Sequence, residues 1–559
     1  MCNAIRFGMV AWIVAVAASA NGQDVTRVNV SSNGDEATDL SGDVAMSSDG
    51  RYVAFSSYAS NLVAGDTNFA SDVFVHDRVT GQTTRVSVDS AGNQANGFSN
   101  GAAISSDGRF VAFYSDATNL VPGDTGGHND AFVHDTLTGT TTRVSVDSGG
   151  NAGNDQSYGG LSLSADGQLV AFESWSTNLV AGDTNGWPDI FVHDLATGTT
   201  ARANVASDGT QANQFCTRPV LSADGLLLVF WTQADNLVPG DTNGFQDILV
   251  RDLVAGTTIR VNVDSSGAQA DHTSDDIGFG FSADDRLVFF ASLATNLAPG
   301  DTNQEWDVFV HDIVSGVTER VSFADDESEA DNACFGPSIT PDGNQIAFFS
   351  YADNLVTGDV NGAIDVFVRD RAAGTTQMMT ISCAGNFGNR DSYRPVISAD
   401  GTLVAFLSDA DTLVHGDTNG FTDVFVTDRT VVPEQAYWNN YGVGHAGTFG
   451  VPGLTLSGDP EFAASISLNA TNSRGTWSVG FVVAGISQVS IPFKGGTLLA
   501  NPNLILVEPL FPWGWSLPIT IPRDDVLCGV SAFLQMIEID PGASHGFSMS
   551  EGLEMHFGH

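Results

Sequence analysis

Short apolar runs separated by polar turns recur along the first three quarters of the chain. In one representative unit, an apolar run leads into Ser106-Asp107-Gly108, and a second run, RFVAFY, follows at residues 109–114. A long polar loop then precedes DAFVH at residues 130–134, and TTRVSV closes the unit at residues 141–146. Aspartate-glycine pairs favour hairpin turns, and no segment has helical periodicity. Each unit therefore predicts four short antiparallel strands.

This unit recurs seven times at nearly constant spacing. The turn aspartates that mark the copies are Asp49, Asp107, Asp166, Asp224, Asp284, Asp342 and Asp400. Four short antiparallel strands per repeat are typical of a propeller blade. The pattern predicts an all-β, seven-bladed β-propeller over residues 24–430.

The seventh unit lacks a fourth strand of its own. A matching segment, Thr26-Arg27-Val28-Asn29-Val30, precedes Asp49 by the offset that separates the equivalent segment from Asp107. We expect this N-terminal segment to complete the last blade and close the ring, which leaves no long open edge.

The repeat resembles that of the TolB-like, WD-repeat-like propellers. Residues 106–113, SDGRFVAF, carry the Ser-x-Asp-Gly turn and the apolar strand of that pattern. The resemblance implies a propeller fold but no particular activity, since such propellers serve as scaffolds, binding platforms or enzyme domains. No separate domain precedes the repeats, as one would in TolB itself, so a TolB role is not carried over.

The N-terminus predicts export. Met1 to Ala20 combines one positive charge at Arg6, an apolar run and a small-residue ending, the features of a cleaved signal peptide. No later apolar run is long enough to span a membrane. We expect a secreted or periplasmic protein.

Composition narrows the partners. The chain has 66 acidic against 21 basic residues, with Lys494 as its single lysine. Such an acidic chain disfavours nucleic acid and anionic membranes as partners. Cysteines are sparse outside the predicted signal peptide, so stability is expected from burial and not from a disulfide framework. Cys216 and Cys334 occupy equivalent places two blades apart and are not expected to pair, whereas other pairings stay open.

The loop between strands two and three carries the candidate metal ligands. Carboxylates stand at its first and seventh places and a small polar residue at its third, which resembles calcium loops of other extracellular repeats. The predicted calcium ligands are Asp66, Asn68, Asp72, Asp183, Asn185, Asp189, Asp241, Asn243, Asp247, Asp301, Asn303, Asp307, Asp359, Asn361, Asp365, Asp417, Asn419 and Asp423. The second copy, Asp124 to Asp130, has Gly126 at the third place and is expected to be empty. The alternative is that these residues form only Asx turns.

Three loops have an aromatic residue at the fifth place, and the first loop has one at the fourth place. These predicted ligand-binding residues are Phe69, Trp187, Phe245 and Phe421. Because the loop falls on the same face of every blade, we expect a ring of aromatics at one mouth of the propeller, suited to a glycan or a peptide. Packing against the neighbouring loop is the alternative.

Two other repeated residue types are expected to be structural. Arginines recur on strand four and aspartates recur after strand three, which predicts cross-strand ion pairs between them. The arginines are Arg27, Arg85, Arg143, Arg202, Arg260 and Arg320, and the aspartates are Asp77, Asp135, Asp194, Asp252, Asp312, Asp370 and Asp428. Histidines before four of these aspartates alternate with arginine or threonine, which argues against metal binding.

After a linker at 431–436, residues 437–559 lack the repeat. Alternating apolar runs at 463–468 and 477–483 predict a small β-sandwich-like module. Its tryptophans, Trp438, Trp477, Trp513 and Trp515, are candidates for sugar stacking or for the core. Gly442–Gly447 and Gly542–Gly546 match a dinucleotide fingerprint and a nucleophile elbow, but both lack the required strand and helix context.

The sequence favours an exported propeller that acts as a calcium-stabilised extracellular binding or scaffold protein for a glycan or protein ligand. The alternatives are a propeller-based hydrolase or lyase and a purely structural cell-surface protein. No convincing catalytic constellation is visible, and the near-equivalence of the loops argues against an enzyme. The sequence leaves the ligand and the oligomeric state open.

Overall fold

A computed structural model describes most of the chain. The described residues are 25–124, 127–382, 385–430, 437–446, 448, 451–460, 464–474, 476–493, 496–500, 504–521, 527, 530–545 and 547–557. The predicted signal peptide and linker, together with Gly126, Cys383 and Cys528, lie outside them. Within the described part, the regular structure is β-strand, and no helix has the length and apolar composition needed to cross a membrane.

Seven four-stranded antiparallel sheets occupy the described residues between 25 and 430. The strands of the first three sheets are β2 (Ser41–Met46), β3 (Tyr52–Ser57), β4 (Asp72–Asp77), β5 (Gln82–Arg85), β6 (Ser99–Ile104), β7 (Phe110–Ser115), β8 (Asp130–Asp135), β9 (Thr140–Arg143), β10 (Ser157–Leu163), β11 (Leu169–Ser174), β12 (Asp189–Asp194) and β13 (Thr199–Arg202). Those of the fourth to sixth sheets are β14 (Cys216–Leu221), β15 (Leu227–Thr232), β16 (Asp247–Asp252), β17 (Thr258–Arg260), β18 (Ser274–Phe281), β19 (Leu287–Ser292), β20 (Asp307–Asp312), β21 (Thr318–Arg320), β22 (Cys334–Ile339), β23 (Gln345–Ser350), β24 (Asp365–Asp370) and β25 (Thr375–Met378).

The seventh sheet joins the two ends of this region. It contains β26 (Ser392–Ile397), β27 (Leu403–Ser408), β28 (Asp423–Asp428) and the N-terminal β1 (Val25–Arg27). Arg27 lies opposite Phe425 in the β1–β28 register, and the Val28 amide donates to the Val424 carbonyl at 2.8 Å. The first strand of each sheet contacts that of the next, and β26 contacts β2. The seventh sheet therefore packs against the first, as a β-propeller requires.

The middle two strands of each sheet are buried on both faces. In the second sheet, β7 and β8 are paired from Phe110–Asp135 to Ser115–Asp130, and Phe113 stacks on Phe132 with ring centroids 5.8 Å apart. Their sequences are continuous apolar runs because neighbouring sheets cover both sides. This sandwiching of side chains between successive sheets forms the core.

Antiparallel order places the connections on two opposite faces. The loops between the second and third strands all lie at one end of the sheets, here called the loop face. The turns between strands one and two and between strands three and four lie at the other end, here called the turn face. Loops one to seven denote 66–72, 124–130, 183–189, 241–247, 301–307, 359–365 and 417–423.

The C-terminal region has three further sheets. The five-stranded sheet contains β29 (Tyr437–Tyr441), β38 (Phe547–His556), β37 (Ser531–Ile539), β32 (Ser478–Gly485) and β35 (Leu504–Leu510). The smaller sheets contain β30 (Leu454–Ser457), β31 (Ser465–Ala470) and β36 (Trp515–Thr520), and β33 (Gln488–Phe493) and β34 (Gly496–Ala500). One apolar cluster joins the five-stranded and three-stranded sheets, with Leu468, Met536 and Leu553 at its centre. The predicted run at 477–483 corresponds to β32, and that at 463–468 is displaced toward β31.

Candidate functional site on the loop face

An asparagine organises six of the seven acidic loops. In loop three, the Asn185 Oδ1 accepts the Trp187 amide at 3.0 Å, while its Nδ2 donates to Asp189 at 3.1 Å and to the Ala212 carbonyl at 3.1 Å. The same bonds recur at Asn68, Asn243, Asn303, Asn361 and Asn419. These side chains form Asx turns and present amide hydrogens, not oxygens, to the second carboxylate.

Loop five shows what lies between its carboxylates. Asp301, Asp307 and Glu329 bring carboxylate oxygens within 4.8 Å of one another. The Arg320 Nη1 lies 3.1 Å from Asp307, 2.5 Å from Glu329 and 3.6 Å from Asp301. The buried guanidinium is therefore the counter-cation of this cluster, and charge-assisted hydrogen bonds of this kind are strong.

In five further sheets, an arginine at the equivalent strand position pairs with the two carboxylates of the loop. Its partners are Asp66 and Asp72 for Arg85, Asp124 and Asp130 for Arg143, Asp183 and Asp189 for Arg202, Asp241 and Asp247 for Arg260, and Asp417 and Asp423 for Arg27. Nitrogen–oxygen distances in these pairs run from 2.9 Å for Arg202–Asp189 to 3.5 Å for Arg85–Asp66.

The expected pairing of these arginines with the aspartates after strand three is wrong. Arg85 lies opposite Phe74, near the loop end of β4, whereas Asp77 is at the turn end of the same strand. Asp77 instead pairs with Arg51, at 2.7 Å, and lies at the end of its strand. The sequence places both residue types in one sheet, but strand direction separates their charges.

The arginine pairs bear on the predicted calcium sites. In six loops the paired carboxylates already bind an internal cation, so a calcium ion would have to displace the guanidinium. The donor set of these loops fits arginine as it stands. Calcium binding by these six loops stays a prediction.

Loop six has no such arginine. Met378 lies opposite Phe367, in the register position that Arg320 has opposite Phe309 in the fifth sheet. Phe387 stands where Glu329 stands, as the bridge Ile381–Phe387 matches Phe323–Glu329. Both replacements join an apolar cluster. The acidic pair of loop six is thus retained without the cation that accompanies it elsewhere.

The two carboxylates of loop six are deeply buried. Asp359 is 6% exposed and Asp365 is 1% exposed. Asp365 accepts hydrogen bonds from Thr380 Oγ1 and, at 2.8 Å, from Asn361 Nδ2. The Oδ1 atom of Asp359 is buried and has no hydrogen-bond partner among the described residues. Burial raises the pKa of Asp365 to about 7 and that of Asp359 to about 6.

The four predicted aromatic residues are exposed. Phe69 is 95% exposed, and Trp187, Phe245 and Phe421 each keep more than a third of their surface accessible. Phe245 also stacks on His272, with ring centroids 4.8 Å apart. Phe69 has a left-handed backbone, with φ of 56°. The other three loops have a left-handed glycine at this place, and their aromatic residue follows it.

Other aromatics lie near the loop end of the sheets. Exposed Tyr58, which follows β3, lies edge-on to Phe98, which precedes β6, with centroids 6.2 Å apart. Phe335 contacts both Trp306 and Tyr351. Tyr58, Phe98, Phe335 and Tyr351 lie outside the seven acidic loops from which the aromatic candidates were chosen, and only the fold brings them near the loop residues.

The histidines at the end of strand three are structural. His76 is buried, and its Nδ1 lies 2.9 Å from Thr83 Oγ1. Arg251 donates to the equivalent Thr258 at 3.1 Å. Because arginine and histidine serve the same threonine, a metal ligand is not required at this position.

The C-terminal tryptophans divide into two pairs. Trp438 and Trp515 pack against the apolar cluster. Trp477 and Trp513 are exposed on either side of Phe511, whose ring stacks on Trp513 at 5.3 Å and meets Trp477 edge-on at 4.4 Å. Trp477, Phe511 and Trp513 together form a short aromatic patch.

Ser544 has a histidine partner that the sequence did not reveal. The His445 Nε2 lies 3.1 Å from Ser544 Oγ, and the His545 Nδ1 lies 3.1 Å from the same oxygen. The nearby Asp540 accepts hydrogen bonds from Thr448 and from the Gly542 amide. Ser544 and His445 are 99 residues apart, so only the tertiary structure brings them together.

No protein-family model and no curated protein matches this chain. Among solved structures, it is similar to the putative TolB from Agrobacterium tumefaciens, with 15% identity, a TM-score of 0.34, and coverage of 62% of this chain and 94% of that one. It is similar to the RRP9 WD40 repeats, with 10% identity, a TM-score of 0.36, and coverage of 74% and 99%. A structure from a study of two prolyl endopeptidases has 13% identity, a TM-score of 0.43, and coverage of 78% of this chain and 55% of that one. In fold, the chain resembles the TolB-like and WD-repeat-like β-propellers.

Proposed function

We propose that this protein is an exported, seven-bladed propeller that binds an extracellular glycan or protein through its loop face, with calcium as a stabilising ion and a C-terminal β-sandwich as a second module. The observation that carries the proposal is the exposure of the four loop aromatics, Phe69, Trp187, Phe245 and Phe421. Exposed aromatics on one face suit stacking against sugar rings or apolar side chains.

The net charge of the chain narrows the chemical class of the proposed ligand. The net charge of −45 creates a repulsive field for polyanions. Neutral glycans and basic peptides therefore fit better than sulfated or phosphorylated chains. The patch of Trp477, Phe511 and Trp513 supports a glycan, since it offers a second exposed aromatic platform.

The repetition of the loops supports binding over catalysis. Nearly equivalent sites around one face favour a repetitive ligand, because linked weak contacts give high avidity. An enzyme usually concentrates unlike groups at one place. Export to the periplasm or beyond rests on the predicted signal peptide.

The test is a glycan and peptide array probed with the full chain and with a variant that has all four loop aromatics changed to alanine. The expected result is loss of signal in this variant only. A matched control changes four exposed apolar residues of the turn face to alanine, namely Val79, Leu137, Val254 and Val314. Equal signals from both variants would refute the loop face as the binding surface, and absence of any ligand for the unmodified chain would favour a structural role.

A second candidate function is hydrolysis. The contact between Ser544 and His445 is the observation that favours it, since a serine beside a histidine can lose its proton to the imidazole.

A further inference from the structure

Loop six lacks the positively charged arginine that pairs with each of the other six loops. Five of the other loops pair their two aspartates with an arginine thirteen residues beyond the second aspartate, as Arg320 follows Asp307, and loop seven pairs with Arg27 of β1. In loop six that position is Met378, and Asp359 and Asp365 form no salt bridge within the described part of the chain. Two buried carboxylates are therefore left without a counter-charge.

The unpartnered oxygen marks where a cation belongs. The equivalent Asp301 Oδ1 faces the Arg320 guanidinium at 3.6 Å, and Asp183 Oδ1 faces Arg202 at 3.5 Å. Asp359 Oδ1 is equally buried, but the corresponding guanidinium is missing. A buried ionised carboxylate without a cation is costly, so another positive group would stabilise the two aspartates that remain after loss of the arginine.

The neighbourhood strengthens this requirement. Asp331 and Asp353 act on Asp359, and Asp391 acts on Asp365, each as an added negative charge. Asp391 Oδ1 accepts the Ile364 amide at 3.0 Å, which holds it beside the loop. The field at loop six is therefore strongly negative, and it attracts a small cation.

We propose that loop six is a calcium site formed by the carboxylates of Asp359 and Asp365, in the place that arginine fills in the other six loops. Gly358 is equivalent to Gly300, whose carbonyl accepts from Arg320 at 3.1 Å, so the Gly358 carbonyl is a further candidate ligand. Calcium suits such a site because it takes oxygen ligands in flexible geometry, with water completing the shell, whereas magnesium requires a nearly ideal octahedron. This inference deepens the calcium component of the proposed function and limits it to one loop.

Isothermal titration of the chelator-treated full chain with calcium chloride tests the inference. We expect one site per chain in the unmodified protein and none in the Asp359→Asn variant. The matched control, Asp241→Asn in the arginine-paired loop four, should keep one site. A magnesium titration should give much weaker binding.

A gain-of-arginine variant tests the mechanism directly. Met378→Arg combined with Phe387→Gln restores the residues of loop one, Arg85 and Gln94, and should abolish calcium binding while keeping the melting temperature in chelator at or above that of the unmodified chain. If that variant does not fold, Asp359→Asn decides the outcome alone.

Three results would overturn the inference: no calcium binding by the unmodified chain, several sites that survive Met378→Arg, or preference for magnesium. Several surviving sites would support calcium in the arginine-paired loops instead. Ligand binding on the array does not depend on this titration, so failure of the calcium site and failure of the proposed binding function are distinguishable.

Discussion

Loops five and six belong to neighbouring sheets and have equivalent backbone positions. They differ in how the charge of their two buried aspartates is compensated. Both bury two aspartates and hold the second with an asparagine amide. Loop five neutralises its carboxylates with Arg320, whereas loop six has Met378 at that place. The comparison teaches that a repeated acidic motif does not define a metal site, because its counter-ion comes from a different strand.

Loop seven extends the comparison, since its arginine comes from the opposite end of the chain. Arg27 of β1 lies 3.2 Å from Asp417 and 3.1 Å from Asp423. The N-terminal strand thus supplies both backbone hydrogen bonds and a cation to the seventh sheet.

Deletion of residues 25–30 should have the largest effect of the changes considered. It exposes the edge of β28 and leaves the acidic pair of loop seven unpaired, so we expect loss of cooperative folding or association through the open edge. Thermal denaturation and size-exclusion chromatography measure this. Arg27→Met alone separates loss of the cation from loss of the strand, and an unchanged melting temperature after deletion would contradict ring closure.

Arg320→Met should remove the cation of loop five and give it the methionine that loop six has at this place. The change strands three buried or half-buried carboxylates, and removal of one partner from a buried ion pair costs about 3 to 5 kcal/mol of unfolding free energy. Urea denaturation measures it, and calcium should restore part of the loss. The control is Arg286→Met, which breaks the pair between half-exposed Arg286 and Asp312 and should cost less, about 1 kcal/mol. Equal losses would contradict the role of the buried guanidinium.

Glu173 shows a third way to bury a carboxyl group, with hydrogen bonds from Thr217 and backbone amides as the main compensation and a smaller attraction from Arg218. Burial raises its pKa from 4.5 to about 7, although hydrogen bonds from Thr217 and backbone amides oppose the shift. The folded state therefore keeps a proton that the unfolded state loses, and Glu173 makes the protein less stable as pH rises from about 4.5 to 7.

Glu173→Gln should remove this contribution. Relative to the unmodified chain, the variant should gain at most about 3 kcal/mol between pH 4.5 and pH 8, from about 1.4 kcal/mol per pH unit. Paired denaturation curves across this range measure the difference. A difference that does not change with pH would mean that Glu173 is ionised in the folded state throughout.

Ser544→Ala should have the smallest effect. The Ser544–His445 contact lies on an exposed turn, and we expect no change in stability and no change in any ester or peptide hydrolysis. A fluorophosphonate probe provides the direct measurement. Labelling of the unmodified protein that Ser544→Ala abolishes would support the hydrolase function instead.

The sequence by itself determined the local structure of the propeller region. The period of the turn aspartates, the apolar runs and the aspartate-glycine turns predicted the strand order within each sheet, and the offset of Thr26 to Val30 predicted the partner of β28. These features are encoded within one repeat, where hairpin turns and burial act on neighbouring residues. The aromatic residues of the loops were recognised for the same reason.

Tertiary structure alone decided which charges meet. Asp307 and Arg320 lie on successive strands, and the register of these strands, with Phe309 opposite Arg320, places the guanidinium at the loop end of the sheet. The sequence therefore paired the arginines with the wrong aspartates, and only the fold showed that Met378 stands where the other loops receive their cation. Contacts between sheets, such as Tyr58 with Phe98, and the meeting of His445 with Ser544, also depend on packing across long chain separations, which no local pattern specifies.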